Sequence, residues 1–409
     1  MATATQIASE AQQAKLRELR RELRRRQVLR RRLAAVAIVA ALIALGIGIA
    51  RIAGRTSIGS VSLTPVEVSL PPSPFHSQLP VEIRGVHVTM DLASLPGKLA
   101  QYIALKQDGL NTIELDVKDE NGQVGFTSGV PALARQDGAA GAYYDPASVA
   151  RETHKAGIYL IGRVVTFEDP ITATAHPDMA VMRSDGTLWH TNGGLAWLNP
   201  YNRKAWKYDV DVAVAAAKQG FDEIQFDYVR FPSDGDLSLI RYPGAHAQPM
   251  KETIAAFLRY ATARLHPLGV RVSADVFGLA ATRDLGIGQF PGQVGQVVDA
   301  VYPMTYPSHY TPGEFNLPDP NAAPEQTVAR SLRDFRSKLV GSDARLIPWL
   351  QDFSLGRTYT AADVAAQIKA ARQYQTGGFM LWNAAGLYTS GALTPGPPPD
   401  LPDLARPGF

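Results

Sequence analysis

The sequence predicts an α/β protein, a (β/α)8 TIM barrel preceded by one N-terminal transmembrane helix. Three observations carry that expectation. Eight short apolar runs alternate with segments of helical period over the body of the 409-residue chain. The first run is followed by Val88-Thr89-Met90-Asp91 rather than the glycine-rich phosphate turn of a doubly wound open sheet. Ahead of the body, Leu33 to Ala50 forms 18 uncharged, almost wholly apolar positions.

The eight runs are residues 83–88, 112–117, 159–165, 223–228, 270–276, 300–304, 346–350 and 379–382. Each is short and rich in Val, Ile, Leu, Tyr or Phe, as strands covered on both faces should be. Leu95, Leu99, Tyr102 and Ile103 are spaced i, i+4, i+7, i+8 and predict the first helix. Trp206, Val210, Ala213, Val214 and Ala217 predict a second, and Ile254, Phe257, Leu258, Ala261 and Leu265 a third. Leu332, Phe335 and Leu339, then Val364, Ile368 and Ala371, complete the series. Gly109, Gly157, Gly220, Gly269 and Gly377 stand where helix C-caps would lead into the next strand.

The stretch 33–50 would span about 27 Å as a helix, enough for a bilayer core. Ten cations lie between Lys15 and Arg32, and only Arg51 and Arg55 follow closely. The positive-inside rule then puts residues 1–32 in the cytoplasm and the rest outside, on a single-pass anchor in the cell membrane. The long leader and the poor cleavage site beside Arg51 argue for an anchor over a cleaved signal peptide. Residues 51–80 read as a Pro/Ser-rich linker, 81–388 as the barrel and 389–409 as a Pro-rich tail.

Residues 1–55 hold 12 Lys and Arg against three Glu, out of 41 basic and 38 acidic residues overall. The body is therefore acidic, which argues against a nucleic-acid partner; the basic segment suits an anionic membrane surface. The absence of Cys excludes a disulfide framework, a thiol nucleophile and Cys-ligated zinc. The histidines are scattered singly, and no HExxH or GxSxG occurs, so neither metal nor cofactor is expected.

A barrel of this kind works at the C-terminal ends of its strands. In Glu223-Ile224-Gln225-Phe226-Asp227-Tyr228, period two puts Gln225 and Asp227 inside and the apolar residues against the helices, with Asp227 near the mouth. Asp222 and Glu223 read as loop or rim charges at the strand's start. In Val272-Ser273-Ala274-Asp275-Val276, Asp275 ends the next strand at similar height. Two carboxylates on adjacent strand ends can act as nucleophile and acid/base. The competing reading is a buried Asp satisfied by Arg163 or Arg230. Asp116 and Lys118 are expected to share a face and pair or bind a sugar hydroxyl. Arg163, Arg230, Tyr306, Asp352, Trp382 and Asn383 complete the expected substrate-binding set. Aromatic faces stack on pyranose C–H surfaces, and charged or amide groups take the hydroxyls, so the expected partner is a carbohydrate. Between strands three and four, Asp185-Gly186 predicts a hairpin, and Trp189 and Trp197 either wall the cleft or form that loop's own core.

The run from Gly220 to Pro232, with Ser233-Asp234-Gly235, resembles the bacterial putative glycosyl hydrolase domain catalogued as domain of unknown function 4015. The similarity extends through 84–89, 115–119, 163–170, 302–310 and 381–383. It implies a glycoside-hydrolase-like barrel related to α-amylase-type enzymes, in which the strand-four Asp is the nucleophile, here Asp227. This sequence departs from that pattern in carrying Asp275 where a Glu acid/base is usual, and Gln225 in place of an Arg. The expected protein is a membrane-anchored glycosidase using Asp227 and Asp275. Its rivals are a catalytically inactive glycan-binding barrel and, more remotely, a metal-dependent deacetylase built on His87 and His309.

Overall fold

The computed structural model describes residues 75–244 and 248–396. The expected span at 33–50 lies outside the described residues. Among those described, no helix is long and apolar enough to cross a membrane.

Eight parallel strands close on themselves. They are β1 (Ile83–Val88), β2 (Thr112–Lys118), β3 (Tyr159–Val165), β4 (Glu223–Asp227), β5 (Arg271–Phe277), β6 (Ala300–Met304), β7 and β8 (Gly378–Trp382). β7 is interrupted: Arg345–Leu346 and Trp349–Gln351 flank Ile347-Pro348. Both halves pair with β6, and the second also pairs with β8, which pairs with β1. Pro348 has no N–H to give the ladder, which accounts for the gap.

Helices intervene, among them α1 (Lys98–Ala104), α2 (Pro146–Lys155), α3 (Arg203–Lys218), α4 (Met250–Leu265), α5 (Pro291–Val294), α6 (Pro324–Lys338) and α7 (Ala361–Gln373). The apolar stripes of α3 and α4 face the strands, with Trp206, Val210, Phe257 and Leu258 buried. Leu95 departs from its expected stripe: it caps a short turn ahead of α1 and is 51% exposed. Pro96 follows it and disfavours helical geometry there. Gly109, Gly157, Gly220 and Gly269 take the left-handed φ expected of helix ends, whereas after α7 that position falls on Gln375, at a φ of 47°, rather than on Gly377.

The core has two layers. One lies between strands and helices. The other fills the barrel itself with Ile83, Tyr159, Ile161, Ala300, Tyr302, Ile347 and Met380. Glu223 sits in that interior at the base, accepting from Tyr159 Oη (2.9 Å) and Ser273 Oγ (2.5 Å). It is not the rim charge expected, because it shares the inward parity of Gln225 and Asp227. Asp222 is buried too, accepting from the Leu160 N–H at 2.8 Å and pairing with His154.

Residues 75–80, read as the end of the linker, pack across the base. The His76 N–H donates to Gly269 O, Arg271 donates to Ser77 O, and Arg345 donates to Pro80 O and Val81 O. The start of the expected tail also belongs to the barrel. Thr389 donates to Asp352, Leu393 is buried, and the Gly396 N–H donates to Glu82 beside the start of β1.

Candidate active site

A cleft of about 430 Å³ opens at the C-terminal ends of the strands. Asp227, Asp275, Arg163 and Arg230 lie along it among the rings of Tyr228, Phe277, Tyr306, Trp349 and Trp382.

β4 and β5 place the two aspartates. Gln225 pairs with Ser273 and Phe226 with Ala274, so the next positions in that register are Asp227 and Asp275. Adjacent strands lie about 4.8 Å apart, which brings both carboxyls to one end at one height. Their environments differ. Asp227 Oδ2 accepts from Arg163 Nε (2.9 Å) and Nη2 (2.8 Å), and Oδ1 accepts from the Tyr228 N–H at 2.7 Å. Tyr228 takes a φ of 48°, in the left-handed region, as the chain turns sharply out of β4. The Asp227 carboxylate is thus oriented by three donors and ion-paired.

Among the described residues, Asp275 has no cation within ion-pair distance. Its Oδ1 accepts from Gln225 Nε2 (2.5 Å) and Trp349 Nε1 (2.7 Å). Burial, followed by the charges of Asp227 and Glu114, raises its pKa well above the ordinary carboxyl range. With Oδ1 accepting two N–H bonds, the proton belongs on Oδ2.

Arg163 on β3 is shared, because its Nη1 donates to Asp116 Oδ1 at 2.8 Å and lies 3.5 Å from Glu120. Asp116 therefore stands behind Arg163 and fixes it. His87 and Glu114 continue this inner cluster, 2.6 Å apart, with His87 stacked on Trp382. Burial lowers His87 to about 4 and raises Glu114 well above its ordinary value.

Lys118 does not reach the cleft. The β2–β3 register shifts between Asp116 and Lys118, and that bulge turns Lys118 outward. It is fully buried between Asp169 and Asp209, 2.7 Å from each, and also donates to Thr166 O. The shared face expected from simple alternation is lost at this bulge. Asp352 and Asn383 serve a loop instead. Asp352 accepts from the N–H and Oγ1 of Thr389, while Asn383 bonds Asp352 O and the Ala385 N–H. Neither lies along the cleft.

The 185–186 turn does join a short antiparallel pairing, and Trp189 and Trp197 are both buried. Both join the main core between strands and helices, and Trp197 also backs the cleft. Its Nε1 donates to Glu168 Oε2 at 2.9 Å, and Arg230 lies over its ring. Burial pushes Glu168 up to about 7.

Sequence reasoning passed over Glu114 and Trp349 as site residues. Both follow the inward parity of their strands, which is the signal that would have found them: Glu114 shares it with Asp116, and Trp349 sits two residues before Gln351.

Residues 85–388 match the family described as a putative glycosyl hydrolase domain. Among solved structures, the chain is 36% identical to a hypothetical protein from Ruminiclostridium thermocellum, covering 47% of this chain and 97% of that one, with a TM-score of 0.43. It resembles the PgaB (BpsB) glycoside hydrolase domain from Bordetella bronchiseptica at a TM-score of 0.52 and 15% identity, over 75% of this chain and 95% of that one. The catalytic domain of β-amylase from Paenibacillus polymyxa gives 0.50 and 12%, over 78% and 96%. These last two likenesses are of fold. Comparison with the curated proteins found no match.

Proposed function

The chain belongs to the putative glycosyl hydrolase domain family, and on that premise we propose a membrane-anchored, extracytoplasmic glycosidase that cleaves an oligosaccharide or polysaccharide with Asp227 and Asp275. One observation carries the reading. Two carboxyls stand at neighbouring positions on β4 and β5 over one aromatic cleft, one ion-paired and one kept protonated by burial.

The Asp227 carboxylate attacks the anomeric carbon as the glycosidic C–O bond breaks. The proton on Asp275 Oδ2 passes to the leaving oxygen. This leaves a glycosyl ester on Asp227 and a carboxylate at Asp275. Water then adds at the anomeric carbon, Asp275 takes its proton, the ester bond breaks, and both carboxyls return to their starting states. A retaining enzyme needs its carboxyls about 5–5.5 Å apart, a separation that side chains on adjacent strands can meet. Arg163 supports this by orienting Asp227 without occupying Oδ1.

The anchor rests on the uncharged stretch 33–50 and the ten cations before it. Intact mass of membrane-extracted protein checks it, with residues 1–50 expected to be present; a mature N-terminus near residue 51 rules it out. The activity is checked on a polysaccharide panel with the detergent-extracted full chain. The substrate it cleaves should be left uncut by Asp227→Asn. Asp227→Gly with azide should give a glycosyl azide of inverted configuration. Near wild-type turnover by Asp227→Asn would overturn the assignment.

A further inference from the structure

The two guanidiniums of the cleft are partnered differently, although Glu168, Asp227 and Asp234 act on Arg230 from beyond ion-pair distance. Arg163 is spoken for, since Asp227 and Asp116 both hold it at 2.8 Å. Burial raises the pKa of Asp275 and lowers that of His309, which also lines the cleft. Arg230 is different. It is 6% exposed and lies along the cleft. Among the described residues, no carboxylate oxygen lies within 4.0 Å of its nitrogens. One hydrogen bond is made, from Nη1 to Phe231 O at 3.1 Å. A guanidinium has five N–H groups, so most of its donors are left for something else.

Three rings hold it. The Trp197, Tyr228 and Phe277 centroids lie 4.8, 4.9 and 4.8 Å from its Cζ. Cation–π contact offsets part of the cost of burial, but ring faces accept no N–H bonds in the guanidinium plane. A purely structural Arg would be expected to reach a carboxylate or several carbonyls, as Arg345 does.

We propose that the cleft accepts a glycan bearing a monoanionic substituent, and that Arg230 binds that group. This rests on the glycosidase reading for the substrate's being a glycan, though not for its charge. A carboxylate of a uronic acid offers two coplanar oxygens to the guanidinium edge, the geometry that Arg takes up best. A sulfate ester carries the same single charge. The rings pre-set the guanidinium, so little side-chain freedom is lost on binding.

The test is a titration of the detergent-extracted full chain with three sets of oligosaccharides: uronate-containing, sulfated and neutral. Wild type, Arg230→Gln and Arg230→Lys are compared, with cleavage followed in parallel. An acidic set should bind in preference to the neutral one, and Arg230→Gln should weaken that binding about 10- to 100-fold, the size of a lost charge-assisted hydrogen bond. Arg230→Lys should recover part of it. Uronate against sulfate preference identifies which anion is read. Arg230→Gln should lower the ratio of acidic to neutral binding, whereas general damage to the loop would weaken all sets alike and leave that ratio unchanged. Equal or better binding of neutral glycans, or no binding of either acidic set, overturns the proposal. Arg230-dependent binding of an acidic set without cleavage would support the proposal while refuting hydrolysis. Cleavage of neutral glycans alone, unaffected by Arg230→Gln, would do the reverse.

Discussion

Asp275→Asn separates proton donation from everything else the residue does. An Asn oxygen can accept the same two bonds, from Gln225 Nε2 and Trp349 Nε1, while its amide replaces the acid O–H. The fold should survive, and the loss falls on the proton given to the leaving oxygen. General acid catalysis contributes about 10²–10⁴-fold, or about 3–5 kcal/mol of barrier. The assay is kcat/KM on two substrates with the same sugar, one with an alcohol leaving group and one with an activated aryl group. The alcohol substrate should lose the full factor, and the aryl substrate should lose far less because its oxygen needs little protonation. The same variant has a stability signature. Asp275 titrates higher folded than unfolded, so its ionisation opposes folding. That cost is absent below the ordinary pKa of 3.8 and grows as pH rises toward the folded value. Asp275→Asn should therefore raise Tm relative to wild type in alkaline buffer, with no such gain near pH 3. Equal losses on both substrates, with no pH-dependent gain in Tm, would refute the assignment of Asp275 as the buried acid.

Three further outcomes follow from the geometry. Lys118→Met strands the buried carboxylates of Asp169 and Asp209 and should cost about 3–5 kcal/mol of stability in urea unfolding, with KM little changed because Lys118 does not touch the cleft. Glu168→Gln should raise Tm above wild type near pH 8 and leave it unchanged near pH 4. Burial lifts this carboxyl from 4.5 to about 7, so the folded state carries the cost of its ionisation increasingly between those values and fully above them. Trp349→Phe removes one donor that favours ionised Asp275, and should move the alkaline limb of the pH–rate profile upward.

The alternation of apolar runs and helical stripes was legible because each strand buries both faces and each helix only one. The positions of Asp227 and Asp275 were legible for a related reason, since period two on an unbroken strand fixes which residues point inward. Lys118 marks where this fails. A bulge adds a residue without any change in composition, and Thr112–Lys118 reads as regular alternation until the β2–β3 register is seen to slip. Asp352 and Asn383 failed differently. They stand at strand ends as expected, yet local bonds to Thr389 and Ala385 consume their polar atoms, and such loop contacts have no period to read. Glu223 was misjudged because a charge at a strand's start suggests the rim, although its parity already placed it inside.

Both ends of the described chain meet the barrel at one pole. Phe75 and the residues after it lie across the base, and Gly396 returns beside the start of β1. Whatever is joined upstream or downstream is attached at the pole opposite the cleft. The described chain thus enters and leaves the barrel on the side away from its mouth, and neither point of exit takes up any of the rim that a polymer would cross.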